Sequence, residues 1–276
     1  MLKKTRAQIM EDFRAQVKSG NILVGVGAGT GITAKCSEQA NVDMLIIYNS
    51  GRFRMAGRGS LSGLLAYGDA NKIVTEMGQE VLPIVKKTPV LAGVCGTDPF
   101  RVMEIFLKQL KEQGFNGVQN FPTVGLIDGK FRANLEETGM GYGLEVDMIR
   151  TAHELDMLTC PYVFDAKQAA DMAKAGADIL VAHMGLTTKG SIGAETALTL
   201  DDCCEKIREI IKAGRSVNPD IMVICHGGPI ADPVDAEYVI KKVPEIDGFF
   251  GASSIERLAS ERGMTAQAAA FKAIKK

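Results

Sequence analysis

Two histidines close apolar runs: His183 ends ILVAH and His226 ends MVICH. If these runs are neighbouring strands of one parallel sheet, about 4.8 Å apart, both imidazoles face one cavity. There they can act as general acid and base, hold an anion, or give two ligands to a metal. Either histidine alone reads more plainly as a hydrogen-bonded core residue; the pair at adjacent strand ends favours function. His153 falls inside a helical stretch and reads as structural or exposed. After His226 come Gly227 and Gly228, and the last strand runs through Gly251 into Ser253 and Ser254. Glycines leave backbone N–H groups bare and a helix amino terminus adds partial positive charge, so these two turns are candidate phosphate cradles, with simple chain reversal as the alternative.

Around them stand further charged and polar candidates. The segment NSGRFRMAGRGSLSGLLAYGD presents Arg52, Arg54 and Arg58 among glycines, arginines that can close over an anion or merely face solvent or a subunit. Gly27 and Asn49 end the first and second apolar runs, Asn120 is the last residue but one of the fourth, and Lys189 follows His183 by six residues; all four join the candidate binding set. Of the loop carboxylates, Glu136 and Glu195 are the candidate bases or Mg²⁺ ligands. Cys95 and Cys225 also lie at or near strand ends. Cys225 directly precedes His226, so the two side chains point to opposite faces, and buried inert thiols are the better reading. GVGAGTG fails as a dinucleotide site, because Thr30 stands where GxGxxG needs its third glycine and the second run ends in Tyr48 and Asn49 without an acid.

These residues need a frame. Short apolar runs alternate with amphipathic stretches: Ile22 to Gly27, Met44 to Asn49, Val90 to Cys95, Gly117 to Phe121, Thr159 to Phe164, Ile179 to His183, Ile221 to His226 and Gly248 to Gly251. Eight strands, each followed by a helix, close a barrel, and 276 residues suit one barrel better than two domains. The expected fold is a single α/β (β/α)₈ TIM barrel over 1–276. A helix over 1–20, opened by a Thr5/Gln8 capping box, plugs its lower mouth, and another, over 264–276, is capped by Thr265. An open doubly wound sheet is the alternative. The segments after strands 2, 4 and 6 are long and glycine-rich, which puts the chemistry at the carboxyl face.

A net charge of −1 gives no field to gather nucleic acid or anionic membrane. Six cysteines without ligand spacing suit a reducing cytoplasm, and no run reaches the roughly 20 apolar residues of a membrane span. Neither the amino-terminal segment nor any other reads as an export signal.

The segments GVGAGTGITAK, YNSGRFRMAGRGSLSGLLAYGDAN, VLAGVCGTDP, GVQNFPTVGLIDGKFRANLEETGMGY, HMGLTTKGSIGA, CHGGPIADP and GFFGASSIERL resemble the phosphoenolpyruvate hydrolase-like, or TIM-barrel signal transduction, family. That family is similar to the carboxyl-terminal domain of a plant protein that inhibits viral RNA replication. The resemblance implies a barrel that hydrolyses or cleaves a small phosphorylated or keto acid, with Mg²⁺ or another divalent ion. It also implies a separate ATP-binding-type companion subunit, and oligomers are common among such barrels. The acidic metal-binding cluster of the phosphoenolpyruvate and phosphonopyruvate enzymes, to which the family's label points, has no obvious counterpart in this sequence. Against this enzyme reading stands a non-catalytic barrel that senses a metabolite or docks on a partner.

Overall fold

The computed structural model describes residues 4–276. Runs of Val, Ile, Leu and Met with no charge are what strands buried on both faces require. They form β1 (Leu23–Gly27), β2 (Met44–Ile47), β3 (Val90–Val94) and β4 (Gly117–Asn120), then a broken β5 (Leu158–Thr159 and Tyr162–Val163). β6 (Ile179–His183), β7 (Met222–His226) and β8 (Gly248–Gly251) complete the set. All pairings are parallel, and β1 lies between β2 and β8. The pieces of β5 pair with β4 on one side and β6 on the other, which closes eight strands into a barrel.

The break in β5 falls at Pro161, which has no N–H to give a ladder. A neighbouring side chain bridges the gap: Asn120 Oδ1 accepts the Tyr162 amide at 2.6 Å and its Nδ2 donates to the Tyr162 carbonyl at 3.3 Å.

Between strands lie α1 (Arg6–Lys18), α2 (Gly31–Gln39), α3 (Asn49–Met55), α4 (Ala70–Val81), α5 (Met103–Gln113), α6 (Gly129–Glu137), α7 (Gly143–Glu154), α8 (Ala166–Lys174), α9 (Leu200–Val217), α10 (Pro233–Lys242) and α11 (Leu258–Lys272). The expected amino-terminal helix is α1, opened by the Thr5/Gln8 capping box; residues 1–3 lie outside the described part. Thr265 caps nothing. A π turn at Ser253–Arg257 runs straight into α11, so Thr265 sits inside one continuous helix. The segments after β2 and β4, expected as loops, contain α3 and α6.

Alternate residues of each strand fill the interior. At its lower end Ile9, Met10 and Phe13 of α1 pack with Leu23, Met44, Leu91, Leu158, Ile179 and Met222, so α1 plugs the barrel. Arg6 anchors the plug by two bonds to Asp178, at 2.7 and 2.9 Å. Glycines make room for the bulky neighbours. A Cβ on Gly25 would meet the Phe250 ring at 2.9 Å, and one on Gly93 would meet Tyr48 Cβ at 2.3 Å.

If α1 fills the mouth, Phe13→Ala will destabilise the protein by about 3–5 kcal/mol in urea denaturation, whereas Phe13→Leu will cost less than about 1.5 kcal/mol. A loss well under 1 kcal/mol for the alanine variant would show that the helix only rests on the surface.

Candidate active site

Above the plug the interior turns aromatic and polar. β2 brings Tyr48, β5 Tyr162, β6 His183 and β7 His226, all with their side chains inside the barrel. The register pairs His183 with His226, and their rings meet edge to face with centroids 4.7 Å apart. Tyr162 stacks on His226 at 5.3 Å and meets His183 at 4.8 Å. These groups border a cavity of about 30 Å³, which also touches Ser60, Thr187 and Ser253. That is space for little more than a water or two.

The backbone fixes the two imidazoles in opposite tautomers. Gly185 N–H donates to His183 Nδ1 at 3.0 Å, so that nitrogen is the acceptor and Nε2 carries the proton. His226 Nδ1 lies 2.8 Å from the Phe250 carbonyl, which can only accept, so Nδ1 carries the proton and Nε2 keeps its lone pair. Burial holds both neutral. It lowers His183 well below the usual value, helped by His226. It lowers His226 to about 4, the Phe250 carbonyl opposing and Arg54 assisting.

Arg54 is the cation of the site. α3 turns it inward, and its side chain is 2% exposed. Nη2 donates to Glu256 Oε2 at 3.0 Å, and the other Glu256 oxygen takes the Gly29 amide. Arg54 Nε is buried without a partner. The guanidinium carbon stands 5.4 Å from the Tyr48 ring centroid.

The other expected residues scatter. Arg52 points outward to Glu76 and Glu80, and Arg58 is exposed, so one arginine of three reaches the cavity. Lys189 is taken by Asp232 and Asp235. Glu195 is exposed, and Glu136 is held at the surface by Arg132 and the Tyr142 amide. Neither carboxylate borders the cavity.

The expected phosphate cradles are built differently. The Gly228 amide already donates to the Gly185 carbonyl at 2.7 Å, and a Cβ there would sit 2.3 Å from the Met184 carbonyl oxygen. The glycine pair, at φ +78° and +58°, ties the loops after β6 and β7 together. Gly251 faces outward onto Ile255, and Ser254 lies outside the cavity; Ser253 remains, its hydroxyl 3.3 Å from that of Ser60. Gly27 leaves room for the Tyr48 hydroxyl, 3.0 Å from where its Cβ would be. Asn49 donates to the Gly63 carbonyl at 2.9 Å and so pins the turn beside the cavity.

Glu145 and Glu256 are the buried carboxylates here, both missed in the sequence because they sit within helical stretches. Glu145 accepts from Asn120 at 2.6 Å and from the Val124 amide at 2.8 Å. Burial nevertheless raises it to about 7. Cys225 faces the helical layer, its thiol pushed up to about 12 by burial. A roomier groove of about 490 Å³ lies between the segments after β2, β3 and β4, but its arginine, Arg101, is already paired to Asp69 and Asp98. The histidine cavity carries the reactive groups despite its smaller volume. Among the described residues no three His, Cys, Asp or Glu side chains converge as metal ligands. Among the described residues no helix is long and apolar enough to cross a membrane.

A family model described as phosphoenolpyruvate hydrolase-like matches residues 8–274. The tomato (Solanum lycopersicum) ToMV susceptible protein tm-1(GCR26) is 58% identical over 269 residues; the match covers 98% of this chain and 36% of the tomato protein. The chain thus spans little more than a third of that relative. Among solved structures, phosphonopyruvate hydrolase in complex with oxalate and Mg²⁺ aligns with a TM-score of 0.59 at 16% identity, covering 99% of this chain and 89% of that one. A 2,3-dimethylmalate lyase, described as a PEP mutase/isocitrate lyase superfamily member, aligns with a TM-score of 0.59 at 14% identity, covering 99% and 91%. At these identities the structural matches speak for the fold.

The buried titrating groups pull stability in opposite directions with pH. The unfolded state protonates His226 near 6.5 and the folded state only near 4, so its contribution is full above 6.5 and falls as pH drops through that window. Glu145 is the reverse: its contribution is full below 4.5 and is lost as pH rises toward 7. Chemical denaturation from pH 4 to 8 will therefore show Glu145→Gln gaining stability relative to wild type as pH rises. Parallel curves would mean that Glu145 ionises in place.

Proposed function

The chain belongs to the phosphoenolpyruvate hydrolase-like family, and from that premise we propose an enzyme of hydrolase or lyase type that acts on a small keto acid or phosphorylated acid at the barrel mouth. The observation that supports this is the histidine pair of opposite tautomers. His226 offers an unprotonated Nε2 as general base at neutral pH, and His183 beside it offers an Nε2–H. In a lyase step His226 takes the proton of a substrate hydroxyl, the C–C bond breaks as the carbonyl forms, and the enolate oxygen accepts from His183. In hydrolysis the same nitrogen takes a proton from water as its oxygen bonds to phosphorus, the bond from phosphorus to the organic group breaks, and the enolate oxygen that leaves accepts from His183. Arg54, its charge balanced by Glu256, adds the unpartnered Nε–H as a fixed donor for developing negative charge. A cavity of about 30 Å³ is smaller than any such acid, so binding requires the segments carrying Ser60 and Thr187 to part.

The carboxylates near this end are already held, Glu256 by Arg54 and Gly29, Glu145 by Asn120 and Val124. This donor set does not fit a divalent ion, and no step runs through one. The expected ATP-binding-type companion draws no support from the relatives.

We also propose a homo-oligomer. α11 keeps one buried residue, Leu258, and exposes Met264 and Phe271. The outer face of β1 and β8 beside α10 is left as an apolar groove of about 420 Å³, bordered by Val24, Ile240 and Phe249.

His226→Asn will abolish turnover of the keto or phosphorylated acid found by substrate screening, while wild-type kcat/KM stays level as pH falls to about 5 and drops toward 4. Turnover that survives the substitution would leave a binding module as the better reading. Light scattering will give wild type a multiple of 29.6 kDa, and Met264→Asp with Phe271→Asp will return it to that mass. A monomeric wild type would sink the oligomer.

A further inference from the structure

A guanidinium sealed from water with one N–H unused is unusual. Leaving such a donor unmet when buried is costly, and more so when it is charged. Arg54 holds such a donor at the edge of the histidine cavity. Its Nη2 is spent on Glu256, while Nε has no protein partner. The Ser60 and Ser253 hydroxyls, which border the same cavity, bond to each other at 3.3 Å, and either can turn its proton toward a guest.

We propose that Arg54 is the specificity residue of this site and that it selects a monocarboxylate over a phosphate or phosphonate group. The inference rests on the histidine reading and narrows its substrate class. A carboxylate is planar and carries one charge, so one guanidinium edge and a hydroxyl satisfy its two oxygens. A phosphate brings three oxygens and close to two charges. Glu256 already neutralises Arg54 at 3.0 Å, His183 and His226 are held neutral, and the Gly228 amide is consumed. Among the described residues no second Lys or Arg borders the cavity. Seated on Arg54, a carboxylate sets the adjoining carbon toward the two imidazoles, where the chemistry takes place.

Pyruvate and methylphosphonate are the probes. Calorimetric titration is run on wild type, on Arg54→Lys, which keeps the charge but loses the fork, and on Arg54→Gln/Glu256→Gln, which removes the pair without stranding a charge. Pyruvate is expected to bind wild type at least about tenfold more tightly than either variant, a difference of about 1.4 kcal/mol, and methylphosphonate not to displace it. The Arg54 Nε–H resonance, identified by its loss in Arg54→Lys, is expected to shift on adding pyruvate. Equal affinity in folded Arg54→Lys, displacement by methylphosphonate, or no saturable pyruvate binding to wild type would each overturn the proposal. His226→Asn separates the two readings. If it binds pyruvate normally but Arg54→Lys does too, the specificity assignment fails alone; if it turns substrate over while Arg54→Lys loses affinity, the histidine mechanism fails alone.

Discussion

The mouth of this barrel is organised by one constraint: a guanidinium taken out of water must keep its countercharge. Arg54 and Glu256 have side chains 2% and 0% exposed, and removing one partner of such a pair commonly costs 3–5 kcal/mol, because the other is left as an uncompensated buried charge. The pair joins α3, which follows β2, to the turn that follows β8, and the Gly29 amide adds the segment after β1. Three neighbouring strand ends are thereby locked around one charge. A Cβ on Gly29 would stand 2.2 Å from the Gly51 carbonyl oxygen, so the glycines of this region serve contact between protein segments. The same cation helps keep His226 neutral.

The frame was legible in the sequence because barrel strands announce themselves as uncharged β-branched and aliphatic runs, and these alternate with amphipathic stretches. His183 and His226 were legible for the same reason, since each ends such a run, and their side-by-side register follows from strand order. What escaped depends on partners distant along the chain. Nothing in NSGRFRM says that the second arginine, and not the first, turns inward; Glu256, 202 residues later, decides that. Glu145 looks like any helical glutamate until the loop after β4 folds over it. Glu136 and Glu195 drew attention because loops at the carboxyl face often carry catalysis, yet one is occupied by an arginine on its own helix and the other faces solvent. The glycine pair at 227 and 228 was legible as a turn but not as a tie between two loops, because its acceptor, Gly185, lies on another strand's extension.

Family membership and fold set the frame for chemistry without choosing it. The chain shares its barrel with phosphonopyruvate hydrolase and 2,3-dimethylmalate lyase at 16% and 14% identity, a distance at which a scaffold outlives its reactions. Near-neutral buried imidazoles beside a single compensated cation are a modest electrostatic endowment. It suits proton transfer on a lightly charged guest better than stabilisation of a multiply charged one.

The break in β5 gives the barrel wall an anisotropic stiffness. Elsewhere neighbouring strands are joined by backbone rungs, whereas near Pro161 the Asn120 side chain carries the connection through two bonds to Tyr162. A rung made by a side chain adds two rotatable torsions that a peptide lacks, so shear concentrates along that line. Tyr162 lies on it and stacks against His226. Breathing of the cylinder is thereby directed to the wall segment that touches His226 and away from the aliphatic lower layers and their helical plug.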